Sequence, residues 1–206
     1  MVRYAITDRT RLGGDERERQ AKLLRLATNW TAARVDFVQL REKELPSGAL
    51  VDLARRILAV LRTGKPGPKL LINSRADVAV AVGADGVHLT AQPGELTPAQ
   101  VRQLYVAARL PEPVVSVSCH SLDEVASARH SGANLILFGP VFEKSIGDQR
   151  VAEGIGLNLL RVVSAAAAPT PVLALGGVTE ANADACLAAG AAGIAAIRLF
   201  QEESPA

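Results

Sequence analysis

The chain has 206 residues, a formal net charge of +2 and no basic run, which excludes nucleic-acid binding through a broad electrostatic footprint. Nearly half of it is hydrophobic, mostly Ala, Val and Leu, and its two cysteines, Cys119 and Cys186, stand far apart, so neither a disulfide framework nor a zinc site is expected. The opening MVRYAITDRTRLGGDERERQ has no apolar export core, and no apolar run nears ~18 residues, so a cytoplasmic protein is expected.

Eight short apolar runs follow one another, at 3–7, 36–40, 69–73, 85–89, 113–118, 134–139, 171–177 and 193–200. Amphipathic segments lie between them, among them ERERQAKLLRLATNW, SGALVDLARRILAVLR, TPAQVRQL, SLDEVASARHSG and GLNLLRVVSAAA. Apolar strands alternating with amphipathic helices predict a parallel sheet buried on both faces. A repeat supports the count of eight. AVGADGVHL, RHSGANLILFG and LAAGAAGIAAI each run helix end, glycine, strand, with the glycines at 83, 132 and 190, and TAARVDFVQL is a fainter copy. The step of about fifty residues equals two βα units of ~25 each. Eight such units fill residues 1–206 as a single α/β domain, a (β/α)8 TIM barrel. The repeat glycines are expected just past helix ends, where a left-handed conformation suits them. A doubly wound open sheet would call for G-x-G-x-x-G after the first strand, and TDRTRLGGDE does not supply it.

In such a barrel the chemistry gathers at the C-terminal ends of the strands. The second strand ends in DFVQLREKEL, which at period two places Gln39, Arg41 and Lys43 on one side and Val38 and Leu40 on the other. Helices cover the outer face, so the polar row is expected to point into the barrel mouth. Two cations there need an anion, either a ligand or a carboxylate such as Glu42, Glu44 or an acid on a neighbouring strand. The third strand ends in LINSR, where Asn73 offers amide donors and Arg75 is either a third mouth cation or a surface charge flanking the next helix. Gln, Arg, Lys and Asn on adjacent strand ends match a phosphate or pyrophosphate clamp. Asp77 is expected to cap the helix that follows.

The fourth strand supplies His88, and the fifth carries SVSCHS, in which Ser116, Ser118 and His120 share one parity. Ser118 and His120 are expected to face the mouth together and to hydrogen-bond a heterocyclic substrate, since no G-x-S-x-G elbow or third triad member accompanies them. His130 is expected on a helix surface. After the sixth strand, FGPVFEKSIGDQRVAEG is long enough for a lid, and its Lys144 either reaches a leaving phosphate or stays solvated. The seventh strand ends in LGGVTEANA, where Gly176 and Gly177 let a phosphate approach backbone N–H groups.

Taken in order, YAITDR, VQLREK, LINSRADVAVAVGADGVHL, SVSCHSLDEVASARHSGANLILFGPVF and VLALGGVTEANADACLAAGAAGIAAI resemble the thiamine phosphate synthase and thiazole tautomerase family of ribulose-phosphate-binding barrels along nearly the whole chain. The resemblance implies a transferase of thiamine biosynthesis. It would couple 4-amino-2-methyl-5-hydroxymethylpyrimidine diphosphate with thiazole phosphate, release pyrophosphate and use Mg2+. It implies further that Gln39, Arg41, Lys43 and Asn73 hold the diphosphate, Ser118 the pyrimidine, and Gly177 the thiazole phosphate. Arg41, Lys43 and Lys144 then carry the catalytic charge. Small phosphorylated molecules are the expected partners, with no nucleic acid and no membrane, and a homodimer is compatible with this class.

The chain departs from the family pattern at several points. Ser74 stands where the family has a magnesium-ligating Asp. The family's H-L-G-Q-x-D is here HLTAQPGEL, leaving Glu95 as the nearest acid, and a T-x-T-K lid has become FEKSIGDQR. Arg198 stands where a serine usually helps to hold the thiazole phosphate. A tautomerase would carry a His where this chain has Pro140, and a non-catalytic binder of pathway phosphates would keep the clamp without the metal ligands.

Overall fold

The computed structural model describes residues 1–201 apart from 65, 91, 93, 147, 148 and 153, with the backbone alone for the rest of 144–152. Its strands are β1 (Val2–Ile6), β2 (Phe37–Leu40), β3 (Lys69–Asn73), β4 (Gly86–Leu89), β5 (Val114–Cys119), β6 (Leu135–Phe138), β7 (Lys144–Ile146), β8 (Gln149–Ala152), β9 (Val172–Leu175) and β10 (Gly193–Ala196). Its helices are α1 (Glu16–Ala32), α2 (Ser47–Leu61), α3 (Ala76–Val82), α4 (Pro98–Ala107), α5 (Leu122–His130), α6 (Gly156–Ala167), α7 (Glu180–Ala188) and α8 (Arg198–Gln201).

Eight strands close in the order β1-β10-β9-β6-β5-β4-β3-β2, and each pairs in parallel with its neighbours, as the period-two runs and the αβ repeat require. Two runs end differently from expectation. The eighth strand stops at Ala196, and Arg198–Gln201 turn into α8, whose Phe200 and Gln201 are buried. The expected lid loop contains the antiparallel hairpin β7–β8, outside the barrel sheet.

Alternation divides the apolar residues into two cores. Ala5, Val38, Leu40, Leu70, Ile72, Val87, Val115 and Val117 face the helices. Tyr4, Ile6, Leu71, Leu135, Leu137, Leu173 and Ala195 fill the barrel. The inner wall is two-sided as a result: leucines line β6 and β9, whereas Gln39, His88 and Ser116 occupy inward positions on β2, β4 and β5.

Gly83, Gly132 and Gly190 hold φ of 63°, 84° and 92°, the left-handed conformation expected past a helix end. In the fainter copy Arg34 takes that place with φ 53°, a conformation that costs a non-glycine residue more. Helix starts follow from local chemistry as well. Asp15 with Glu18, and Thr97 with Gln100, form reciprocal capping boxes at α1 and α4. Cys119 and Cys186 are free and buried, and no described helix is long and apolar enough to cross a membrane.

Candidate active site

The site is built from the upper inward positions of β2 to β5 and the turns that follow them. In register, Gln39 lies beside Ile6 and Leu71, and Asn73 beside His88, which lies beside Ser116. Gln39 Nε2 donates to Asn73 Oδ1 at 2.9 Å, which leaves the Asn73 amide hydrogens free to face other acceptors. Gln39 Oε1 is buried and has no hydrogen-bond partner among the described residues. Such an acceptor costs free energy until a donor reaches it.

Further round the barrel His88 is 3% exposed and bridges two serines. Its Nδ1 lies 2.8 Å from Ser116 Oγ and its Nε2 2.9 Å from Ser118 Oγ, while Tyr4 Oη lies 2.9 Å from Ser116 Oγ. Burial, and secondarily the charge of Arg41, push the His88 pKa down to about 3, so the imidazole is neutral near pH 7 and serves as one donor and one acceptor.

Ser118 therefore meets His88, whereas the sequence expected it to face the mouth together with His120. The His120 ring turns to the neighbouring strand end, with Nδ1 donating to Gly139 O at 2.6 Å. Arg75 is likewise spoken for. It pairs with Asp77 at 2.6 Å and donates to Ser47 Oγ, so it is a surface charge beside α3 rather than a third mouth cation. Asp77 lies within the first turn of α3, and the N-cap position belongs to Arg75. His130 is exposed at the end of α5.

Arg41 is partly buried and Lys43 exposed, and neither takes part in an ion pair among the described residues. The nearby acids are occupied elsewhere. Glu42, of opposite parity, is 4% exposed and is held by Thr7 and Arg9, and Glu44 pairs with Arg9 at 3.2 Å. Burial works against the Arg9 charge, but hydrogen bonds to Glu16 and Glu42 outweigh it and hold the guanidinium above its ordinary pKa. Nothing in the spacing of ITDR announces this buried arginine.

The loop after β4 folds back so that Glu95 Oε2 accepts from Thr90 N–H at 3.1 Å, from the Thr90 hydroxyl, and from Ser74 Oγ at 3.2 Å. Ser74 sits in the left-handed region with φ 54°. Across the mouth Gly176 and Gly177 have φ of 89° and 65°. A Cβ on Gly177 would fall 2.7 Å from Phe142 Cβ, and one on Gly176 2.5 Å from Pro140 Cβ, so both turn geometry and close packing require glycine. Arg198 is exposed at the start of α8. The Lys144 side chain lies outside the described residues.

Residues 3–200 match the family profile described as thiamine monophosphate synthase. The chain belongs to that family. A putative thiamine-phosphate synthase of Geobacter sulfurreducens is 41% identical over 196 residues, 94% of this chain and 84% of the relative. The thiamine-phosphate synthase of Moorella thermoacetica is 36% identical over 189 residues, 91% of this chain and 82% of the relative. Among solved structures, thiamine phosphate pyrophosphorylase from Pyrococcus furiosus superposes with a TM-score of 0.77 at 28% identity, covering 98% of this chain and 88% of that one. In this chain the loop after β4 brings Glu95 within 3.2 Å of the Ser74 hydroxyl.

Proposed function

We propose that this chain is a cytoplasmic thiamine phosphate synthase that joins an aminopyrimidine-methyl diphosphate to a thiazole phosphate and releases pyrophosphate. The observation that carries the reading is the Gln39–Arg41–Lys43 row beside Asn73. Its two cations are without carboxylate partners among the described residues, above a neutral polar floor, in a chain of this family. In this reading Gln39, Arg41, Lys43 and Asn73 take the diphosphate. Ser118, held by His88, faces the pyrimidine side, and Gly176, Gly177 and Arg198 the thiazole phosphate.

The bond between the pyrimidine methylene carbon and the diphosphate oxygen breaks, and its electron pair leaves with the diphosphate. The thiazole nitrogen then donates its lone pair to the methylene cation and forms the new C–N bond. Negative charge on the leaving group grows along this path, so fixed cations bind the transition state more strongly than the substrate. The neutral His88 keeps further positive charge away from the cation that forms next to the pyrimidine.

The residues also fit a magnesium ion carried mainly by the diphosphate. Glu95 Oε2 is taken by Thr90 and Ser74, which leaves Oε1 and the Ser74 lone pairs as oxygen donors, and magnesium commonly takes one or two carboxylates beside substrate phosphates. When bound, the ion neutralises leaving-group charge. Glu95→Gln is expected to raise the Mg2+ concentration for half-maximal rate about tenfold, with kcat at saturating Mg2+ little changed. An unaltered magnesium requirement removes Glu95 from the site.

The test of the whole reading mixes purified protein with both phosphorylated halves, with and without Mg2+, and measures thiamine phosphate. Product formation dependent on both halves is expected. No product, with either half still bound, identifies a binder, and turnover of the isomeric thiazole carboxylate alone identifies a tautomerase.

A further inference from the structure

Behind the cation row, on the side of β2 that faces the helices, the ends of the first two strands are joined by side chains. Thr7 N–H donates to Gln39 O at 3.0 Å, and Arg41 N–H donates back to Thr7 Oγ1 at 2.9 Å. The same Thr7 hydroxyl donates to Glu42 Oε1. Glu42 also accepts from the Arg9 backbone N–H at 3.1 and 3.2 Å and from Arg9 Nη1 at 3.1 Å. Arg9 extends the set to Glu16 at 2.9 Å and Glu44 at 3.2 Å. Thr7, Arg9 and Glu42 are 0%, 6% and 4% exposed.

The direction of each bond follows from the chemistry. An ionised carboxylate only accepts, so the single Thr7 hydroxyl proton is committed to Glu42 and an oxygen lone pair is left for the Arg41 amide. Glu42 thus fixes the hydroxyl, and the hydroxyl fixes the backbone at Arg41. Arg41 has a long, partly buried side chain with no ion-pair partner among the described residues, so the direction of its Cα–Cβ bond is set from the backbone. A clamp that acts on growing charge needs its donors held within roughly 0.5 Å of the working geometry.

We infer that Thr7, Glu42 and Arg9 form a positioning network that aims Arg41 and Lys43 at the diphosphate without touching it. The inference rests on the function proposed above. It separates a role in aiming from a role in stability alone, because only aiming affects one substrate and spares the other.

The test compares Thr7→Val, which keeps the shape and loses the hydroxyl, with Thr7→Ser, which keeps the hydroxyl. Calorimetry with inorganic pyrophosphate and steady-state kinetics are the readouts. Thr7→Val is expected to weaken pyrophosphate binding and lower kcat each by about tenfold while the KM for thiazole phosphate stays within about twofold. Thr7→Ser is expected to restore both to within about threefold of the unaltered protein. If Thr7→Val does not fold, Glu42→Gln is measured in the same way and is expected to weaken pyrophosphate selectively. Pyrophosphate binding that survives these changes overturns the inference alone, as does a parallel rise in KM for both substrates or an equal loss in Thr7→Ser. If the unaltered protein does not bind pyrophosphate at all, the diphosphate reading falls, and this inference with it.

Discussion

Arg41→Ala is expected to lower kcat for thiamine phosphate formation by ~10²–10³, the loss typical of removing one preorganised donor from a developing anion. The argument is electrostatic. Arg41 is partly buried and its charge is the second cause of the depressed pKa of His88, so it acts on the mouth, where screening by water is reduced. The neighbouring acids cannot blunt it, since Glu42 and Glu44 are directed to Arg9. Arg41→Lys should recover only part of the loss, because a point ammonium lacks the planar fork that grips two phosphate oxygens. Single-turnover measurements with saturating pyrimidine diphosphate isolate the effect on bond breaking. Undiminished turnover in Arg41→Ala would falsify the assignment of the diphosphate to this row.

The second large effect concerns stability and acid. His88 titrates near 3 in the fold against an ordinary value of 6.5, chiefly because it is buried and secondarily because of Arg41. Below pH 6.5 the unfolded chain binds a proton that the native chain refuses. The His88 contribution to stability is therefore complete above pH 6.5 and is lost progressively as the pH falls toward 3. At pH 5 the loss from this one residue is about 2 kcal/mol, from roughly 1.5 pH units at 1.36 kcal/mol each. The carboxyl of Glu42, pushed up by burial against the pull of Thr7 and Arg9, works in the opposite direction, but a variant at position 88 carries it too. Urea unfolding of the unaltered protein and of His88→Gln between pH 7 and pH 4.5 gives the comparison. The variant should show the shallower dependence on pH, and parallel curves would mean that the ring titrates alike in the native and the unfolded chain.

Sequence pattern alone located the barrel because strand parity, helix periodicity and the Gly-Ala repeat all report the same alternation. It expected Gln39, Arg41 and Lys43 on one side from a two-residue period, but β2 ends at Leu40, so that period reaches only Gln39, and Arg41 and Lys43 lie in the segment that follows. What it missed depends on how strands register with one another. Ser118 and His120 share a parity, yet the neighbour of Ser118 is His88 on β4, while His120 has passed the strand end and bonds to Gly139 O. The Thr7–Glu42–Arg9 set was illegible for the same reason, as it joins two strand ends about 35 residues apart. The sequence left Arg75 open between rim and surface, because a charge at a strand end is compatible with both, and it expected Asp77 at the cap of α3, whereas Asp77 lies in the first turn paired with Arg75. IRLF reads as a strand by hydrophobicity, but the chain turns into α8 so that Phe200 packs against the outer core. Glu95 was identifiable only as the next acid along, because the loop fold that delivers it to Ser74 has no period to read.

The unequal lining of the barrel throat has a consequence for how a flat molecule lies in it. Hydrogen-bonding groups occupy the arc from β2 to β5, and leucines the arc of β6 and β9. A planar ring with nitrogens along one edge can satisfy that edge at only one azimuth, because a half-turn would press its polar rim against hydrocarbon. In the function proposed above, the bottom of the cup acts as a compass that orients an entering heterocycle by its polar edge.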